Sequence, residues 1–193
     1  MMVGRAMTES RDSMIAQWAD WLGERMSSAS HIPRPIVERE LRLLLDVLIE
    51  SAGPLRREMR DVWVHACEHY GRVGAARGLA AGDVVEEMLY LRELLIRRLG
   101  TILAGLRPRQ AMAIILRLNA VLDKGTALAV VGYTDALVAT LFVRSGVPAP
   151  DTDLDTGDIE RQLDAIEGEL AAVVRNRRRA LGVTAPLPET PTA

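Results

Sequence analysis

In every segment of this chain the apolar residues recur three and four positions apart, and no stretch alternates with the period of two that a half-buried strand requires. An all-α fold follows. Aromatic residues supply only 4% of the sequence while Leu, Ala, Val and Met dominate, which favours helices over strands. With 193 residues, 49% of them hydrophobic, the chain can close a core without a metal or a disulfide. The spacing predicts helices over about 13–26, 36–50, 54–76, 83–106 and 108–143. Pro33 and Pro35 stiffen the first connection, and Pro54 suits a first helical turn, where its missing amide proton costs nothing. Gly78 and Gly82 flank a short connector, and Asp83 reads as an N-cap. Gly125 and Gly132 point to a bend or a close helix contact in the long fifth helix.

The expected organisation is a flexible lead over 1–12, a bundle of about five helices over 13–145, a polar linker over 146–157 and a further helix over 158–181. Residues 182–193 have too little apolar surface to offset the entropy of ordering and read as disordered. In the last helix Ile159, Leu163, Ile166, Leu170 and Val173 recur at spacings of four, three, four and three, the seam of a coiled coil. Help in forming a homodimer is its expected role; packing against the bundle is the competing use, because two heptads are short for holding chains together.

Charge excludes several partners. Twenty-four basic residues against 26 acidic ones, a formal charge of -2, give no general attraction to nucleic acid or an anionic membrane. The basic run from Arg175 to Arg179 suits a helix C-terminus better than a phosphate backbone. The N-terminus has the pattern of no secretory signal, and Cys67 as the single cysteine fits a reducing compartment. The most apolar stretch, "ALAVVGYTDALVATLFV", contains Asp135 and reads as a buried core helix rather than a membrane span. A cytoplasmic location is expected.

Polar residues on apolar faces are the candidate functional residues, since buried charge is costly unless paired. On the third helix His69 falls among Leu55, Val62, Ala66 and Val73, with His65 at the edge of the same arc. Two histidines without further ligands at metal spacing favour hydrogen bonding over metal binding. Haem ligation by His69 is an alternative with no other sequence mark of a haem pocket. Arg92 lies within the apolar arc of the fourth helix and needs a partner. Asn119, Asp123, Thr126 and Tyr133 cluster on one side of the fifth, and Asp123 can accept from a guanidinium. His69, Arg92, Asp123, Tyr133 and Asn119 are therefore expected to form a ligand-binding or switch network. No catalytic residue is expected: "GRVGAARG" follows a helix rather than a strand, no serine sits in a nucleophile elbow, and Glu68 disfavours a Cys67 thiolate.

The run His69, Gly71, Arg72, Arg77, Gly78, Asp83, Val84, Val85, Glu87, Leu91 and Arg92 resembles the "H…R…G…vv.E…LR" pattern of the sensory N-terminal domain of RsbT co-antagonist (RsbRD-type) proteins and of related bacterial sensor histidine kinases. The stretch "LNAVLDKGTALAVVGYTDAL", with Asp123 followed by Tyr133, is similar to a later helix of that family. The resemblance spans about residues 13 to 145 and implies a helical, cytoplasmic input module without catalysis, acting in stress-type signalling through a protein partner. Neither an ATP-binding region nor a phosphorylatable STAS domain accompanies it in this sequence, so a stand-alone module is expected. An adaptor without sensing and a haem- or tetrapyrrole-binding sensor are the alternatives.

Overall fold

The computed structural model describes residues 2–25, 32–52, 55–145 and 156–180. Six helices and no strand are found among them: α1 (Met2–Arg25), α2 (Arg34–Ala52), α3 (Arg60–Ala76), α4 (Ala81–Ala104), α5 (Pro108–Arg144) and α6 (Thr156–Ala180). The expected boundaries agree to within a few residues for α2, α4 and α5. Of the linker expected over 146–157, residues 156 and 157 instead open α6; its remainder, the tail expected over 182–193 and the role given to Pro54 fall outside the described residues.

Three local readings are corrected. The lead over 1–12 is helical from Met2, because Met7 continues the apolar seam of Met14, Trp18 and Leu22 one heptad earlier and is buried with them. Helix α3 starts at Arg60, preceded by a turn in which the Met59 amide donates to the Leu55 carbonyl at 2.9 Å. Asp83 is not the N-cap of α4. It stands three residues after the cap, Ala80, and its Oδ2 accepts from the Ala80 amide at 2.8 Å, half of a capping box.

Helix α3 is the centre of the molecule, packing on α5 most extensively and also on α2, α4 and α6. Its contact with α5 runs backbone to backbone. A Cβ on Gly71 would lie 1.8 Å from the Ala129 carbonyl oxygen, and one on Gly132 would lie 2.0 Å from that of Glu68. Only glycine permits this approach. Gly125 leaves room for the Trp63 ring, whose Nε1 donates to the Val121 carbonyl at 3.2 Å. At the other end of α3, Gly78 has φ +78°, and the Leu79 and Gly78 amides donate to the carbonyls of Gly74 and Ala75 at 3.1 and 3.0 Å. This Schellman turn stops α3 and aims the chain into α4.

Two larger expectations also change. The seam of α6 is occupied within the chain: Ile159, Leu163 and Ile166 are buried and Leu170 and Val173 half-buried against the same core, with α6 lying on α2 and α3. A heptad pattern is satisfied by any apolar groove, and here the nearest one belongs to the same molecule. The second change concerns α5, which was expected to be a buried core helix. Leu118, Leu122, Gly125, Ala129 and Gly132 form its single buried stripe, while Met112, Leu116, Val131, Leu137, Val138, Leu141 and Phe142 remain exposed. By length and composition Pro108–Phe142 could cross a membrane, and 17% of its most apolar window is buried. Apolar residues encircle α5, but α3 and α4 cover one side only.

Candidate functional site

Arg92 and Asp123, the arginine and carboxylate selected from the helical faces, are paired between α4 and α5. Their side chains are 24% and 64% exposed, so the pair lies at the rim of the core. His69 does not join it. Its ring is turned toward α2, where Nδ1 shares a hydrogen bond of 3.0 Å with Glu40 Oε1, both side chains being 1% exposed. Tyr133 donates from its hydroxyl to the Leu79 carbonyl at 2.8 Å, tying α5 to the turn before α4. Asn119 Oδ1 is buried without a hydrogen-bond partner. The expected network thus separates into a surface pair, a tether, an unpaired amide oxygen and a buried histidine.

The buried histidine belongs to a larger polar group, of which Arg77 and Glu87 appear in the sequence reading only within the family resemblance. Next to it on α3, Tyr70 donates from its hydroxyl to Glu87 Oε2 at 2.5 Å. Arg77, on the last turn before Gly78, grips both oxygens of Glu87, Nη2 to Oε1 at 2.6 Å and Nη1 to Oε2 at 3.0 Å. The two side chains are 1% and 5% exposed. This forked geometry suits a guanidinium in a dry setting, where a point-like ammonium would satisfy only one oxygen. Glu40, His69, Tyr70, Arg77 and Glu87 thereby connect α2, α3 and α4. One signal in the sequence could have found the carboxylates. Glu40 replaces an apolar residue in the row Ile36, Glu40, Leu44 and Leu48, and Glu87 lies between Val84 and Leu91 on the buried face of α4.

Burial sets the protonation preferences. Desolvation raises the Glu40 carboxyl above its ordinary range; the hydrogen bond and charge of His69 and the charge of Arg77 oppose that rise, and the charge of Glu87 adds to it. Burial and then the negative charge of Glu87 push the Tyr70 phenol well up, so Tyr70 serves as a donor. Desolvation opposes the charge of Arg77, but the hydrogen bonds and charge of Glu87 outweigh it and hold the guanidinium protonated. Three atoms of the group lack partners: Glu40 Oε2, His69 Nε2 and Arg77 Nε. The group is therefore internally paired but not saturated.

The same two helices also hold α6. Arg39, the neighbour of Glu40, reaches outward to α6 and donates to both oxygens of Glu167 at 2.8 and 2.7 Å and to Asp164 at 2.5 Å. These bonds raise the Arg39 guanidinium further. His65, one turn before His69, meets Glu169 Oε2 at 2.8 Å. Above this contact, α3, α5 and α6 enclose an open cleft of about 550 Å³ lined by His65, Arg72, Asp135, Gln162 and Glu169. A smaller cleft of about 210 Å³ lies between Trp21, Arg25, Arg77 and Glu87, with the Trp21 ring stacked on Tyr90 at 4.4 Å and Arg25 placed 4.0 Å over it.

Among the described residues no group of three or more potential metal ligands is found. His69 does not fit a haem either, since it is 1% exposed, bonded to Glu40, and lines neither cleft. Cys67 is buried, and desolvation followed by the charge of Glu68 raises its thiol, the wrong direction for a nucleophile. Compared with protein-family models, with curated proteins and with solved structures, the chain has no significant match.

Proposed function

We propose that the chain is a non-catalytic bacterial signalling module, a sensory input domain of the RsbT co-antagonist type that acts in the cytoplasm, as a homodimer, on a protein partner in a stress-type pathway. One observation carries the reading. The residues of α2 and α3 that form the buried polar group are neighbours of those that hold α6: Glu40 beside Arg39, and His69 one turn from His65. A change in how the core group is protonated or packed would move the anchor points of α6 with it, the coupling a signal needs. His69, Arg77, Gly78 and Glu87, which carry part of the resemblance, all take part in this group or in the turn that positions it. Incomplete satisfaction at Glu40 Oε2 and His69 Nε2 is the feature that lets a second packing compete.

Native-state hydrogen exchange on the full chain tests this. The expected result is that amides of α6 and of the facing turns of α2 and α3 exchange together through an opening smaller than global unfolding, and that Glu40→Gln shifts that opening selectively. Exchange of α6 only through global unfolding, in wild type and variant alike, would overturn the switch. It would favour the second reading, an adaptor without sensing, for which the exposed apolar face of α5 is the supporting observation.

A further inference from the structure

The outer face of α5 is organised rather than merely apolar. At 100° per residue the buried stripe of Leu118, Leu122, Gly125, Ala129 and Gly132 has a counterpart half a turn away, made of Met112, Leu116, Ala120, Ala127, Val131, Thr134, Val138 and Leu141. Seven large side chains on or beside this second stripe, Met112, Leu116, Val131, Leu137, Val138, Leu141 and Phe142, are each between 42% and 61% exposed. From Met112 to Leu141 the stripe extends over about 44 Å. An apolar strip of that length on one rigid element marks an interaction site.

We propose that this face is the interface of an antiparallel, two-fold symmetric homodimer in which α5 of one copy lies along α5 of a second copy, centred near Ala127. The inference rests on the homodimer reading above and adds the surface, which that reading does not name. Two features of the stripe choose the occupant.

The first is the order of side-chain sizes. Reflected about residue 127, Met112 meets the second copy's Phe142, Leu116 meets its Val138, Ala120 meets its Thr134 and Ala127 meets its own counterpart. Large residues pair with large ones near the ends. Toward the middle Ala120, Thr134 and Ala127 are small, where two crossing helices must approach most closely, and between them Val131 meets the second copy's Asp123. The Thr134 hydroxyl already donates to the Val130 carbonyl at 2.8 Å, so it brings no unmet donor to the interface. In an isologous contact each such pair, apart from the one on the axis, occurs twice, which doubles a modest patch.

The second feature is charge. Arg117 and Asp135 are exposed, have no hydrogen-bond or ion-pair partner among the described residues, and flank the stripe at the same angular position, eighteen residues apart. Antiparallel pairing about residue 127 brings Arg117 within two residues, about 3 Å along the axis, of the second copy's Asp135, and the reverse. Parallel pairing would leave Arg117 and the second copy's Asp135 eighteen residues, about 27 Å, apart along the axis. Asp123, the one acid on the stripe itself, is already neutralised by Arg92. Between Met112 and Phe142 the same helix carries four charged residues, Arg117, Asp123, Lys124 and Asp135, which makes hydrocarbon a poor alternative cover.

The test combines light scattering with cysteine cross-linking on the full chain. Wild type is expected at twice the chain mass, and Leu116→Asp with Val138→Asp is expected to be monomeric with unchanged helicity, since both positions face solvent in the single chain. Arg117→Glu and Asp135→Arg should each weaken the dimer several-fold, and the double variant should recover it. Under mild oxidation Ala127→Cys should cross-link to itself; Leu116→Cys should do so only when mixed with Val138→Cys. A dimer unaffected by all these changes and uncross-linked at residue 127 would overturn the interface while leaving the homodimer reading intact. Self-cross-linking of Leu116→Cys alone would overturn the antiparallel arrangement. A wild-type monomer overturns interface and homodimer together, and if that monomer sediments with phosphatidylcholine vesicles the face belongs to lipid instead.

Discussion

Two arginine–carboxylate pairs attach α4 to its neighbours, and they sit at opposite ends of the scale of burial. Arg77 and Glu87 meet in a forked contact at 1% and 5% exposure, with Tyr70 as a third member, whereas Arg92 and Asp123 meet at 24% and 64%. The drawn interaction is the same, but its physical weight differs. Charges at the rim keep most of their hydration whether or not they are paired, so pairing adds little. Charges in the core have no water to return to, and removing one partner leaves the other stranded. The stranded charge, more than the attraction, makes the inner pair consequential.

The largest effect that would separate the two pairs is expected from Glu87→Gln. It leaves the Arg77 guanidinium without a counter-charge in a dry site, at a cost of about 3–5 kcal/mol in unfolding free energy. Urea denaturation measures it directly. Replacing both members, Arg77→Met with Glu87→Leu, should recover much of that loss, because an apolar pair of similar volume has no charge to desolvate. A Glu87→Gln variant within about 1 kcal/mol of wild type would place the inner pair in the same class as the outer one, contrary to its burial.

A second contrast of the same kind separates the glycines. Gly132→Ala drives a Cβ to 2.0 Å from the Glu68 carbonyl oxygen, so α3 and α5 must part, with an expected loss of about 1–3 kcal/mol. Gly100, inside α4, has nothing within 4 Å of a built Cβ. Gly100→Ala should therefore stabilise by about 0.5–1 kcal/mol through helix propensity alone. Thermal melts of the two variants should move in opposite directions. Movement in the same direction would mean that the α3–α5 crossing is looser than its backbone contacts indicate.

These contrasts also explain what was legible in the sequence. The helices could be read because their spacing is a local property, and Arg92 with Asp123 could be matched because both stand out against apolar neighbours on adjacent helices. The inner group was harder to see. Arg77 lies at the end of α3, where basic residues are ordinary, and Glu40 and Glu87 interrupt apolar rows that look nearly complete without them. Their partners are fixed by how α2, α3 and α4 cross, and no helical wheel contains a crossing. The α6 seam and the outer face of α5 reveal the same limit from the other side. Periodicity identified an apolar face in α6 but could not say which surface covers it, and in α5 apolar residues all round concealed that only one stripe is covered.

Between the two extremes lies Glu40, whose effect depends on pH. Desolvation raises its carboxyl in the folded protein above the ordinary value that holds in the unfolded chain. Below that ordinary value both states are protonated and the site has no electrostatic penalty. As pH rises past it, the unfolded chain releases the proton first, so stability contributed by this site falls across the window up to the raised folded value. This is the reverse of a salt-bridged surface carboxylate. Glu40→Gln cannot titrate but can still accept from His69, so the stability difference should move in favour of the variant as pH increases, by about 1.4 kcal/mol for each unit of raised pKa. Denaturation midpoints of both proteins from acid to neutral pH provide the check. Parallel curves would mean that Glu40 titrates no differently in the folded state.

The smallest effect belongs to the pair that was easiest to find. Asp123→Asn and Arg92→Ala should each change unfolding free energy by no more than about 1 kcal/mol, with most of that change lost in high salt, because Asp123 is mostly in water and its partner shares that solvent. A double-mutant cycle isolates the pairwise part, expected at about 0.2–1 kcal/mol. The same variants have a second readout. If the outer face of α5 closes on a copy of itself, Asp123 is the acid that the interface must cover, and Arg92 keeps it neutralised there. Arg92→Ala should then weaken dimerisation more than it weakens the fold, since an unpaired carboxylate is tolerated by solvent but not beneath the second copy's Val131. Equal effects on both would indicate that Asp123 stays in water in whatever assembly the chain forms, and would move the interface away from the centre of α5.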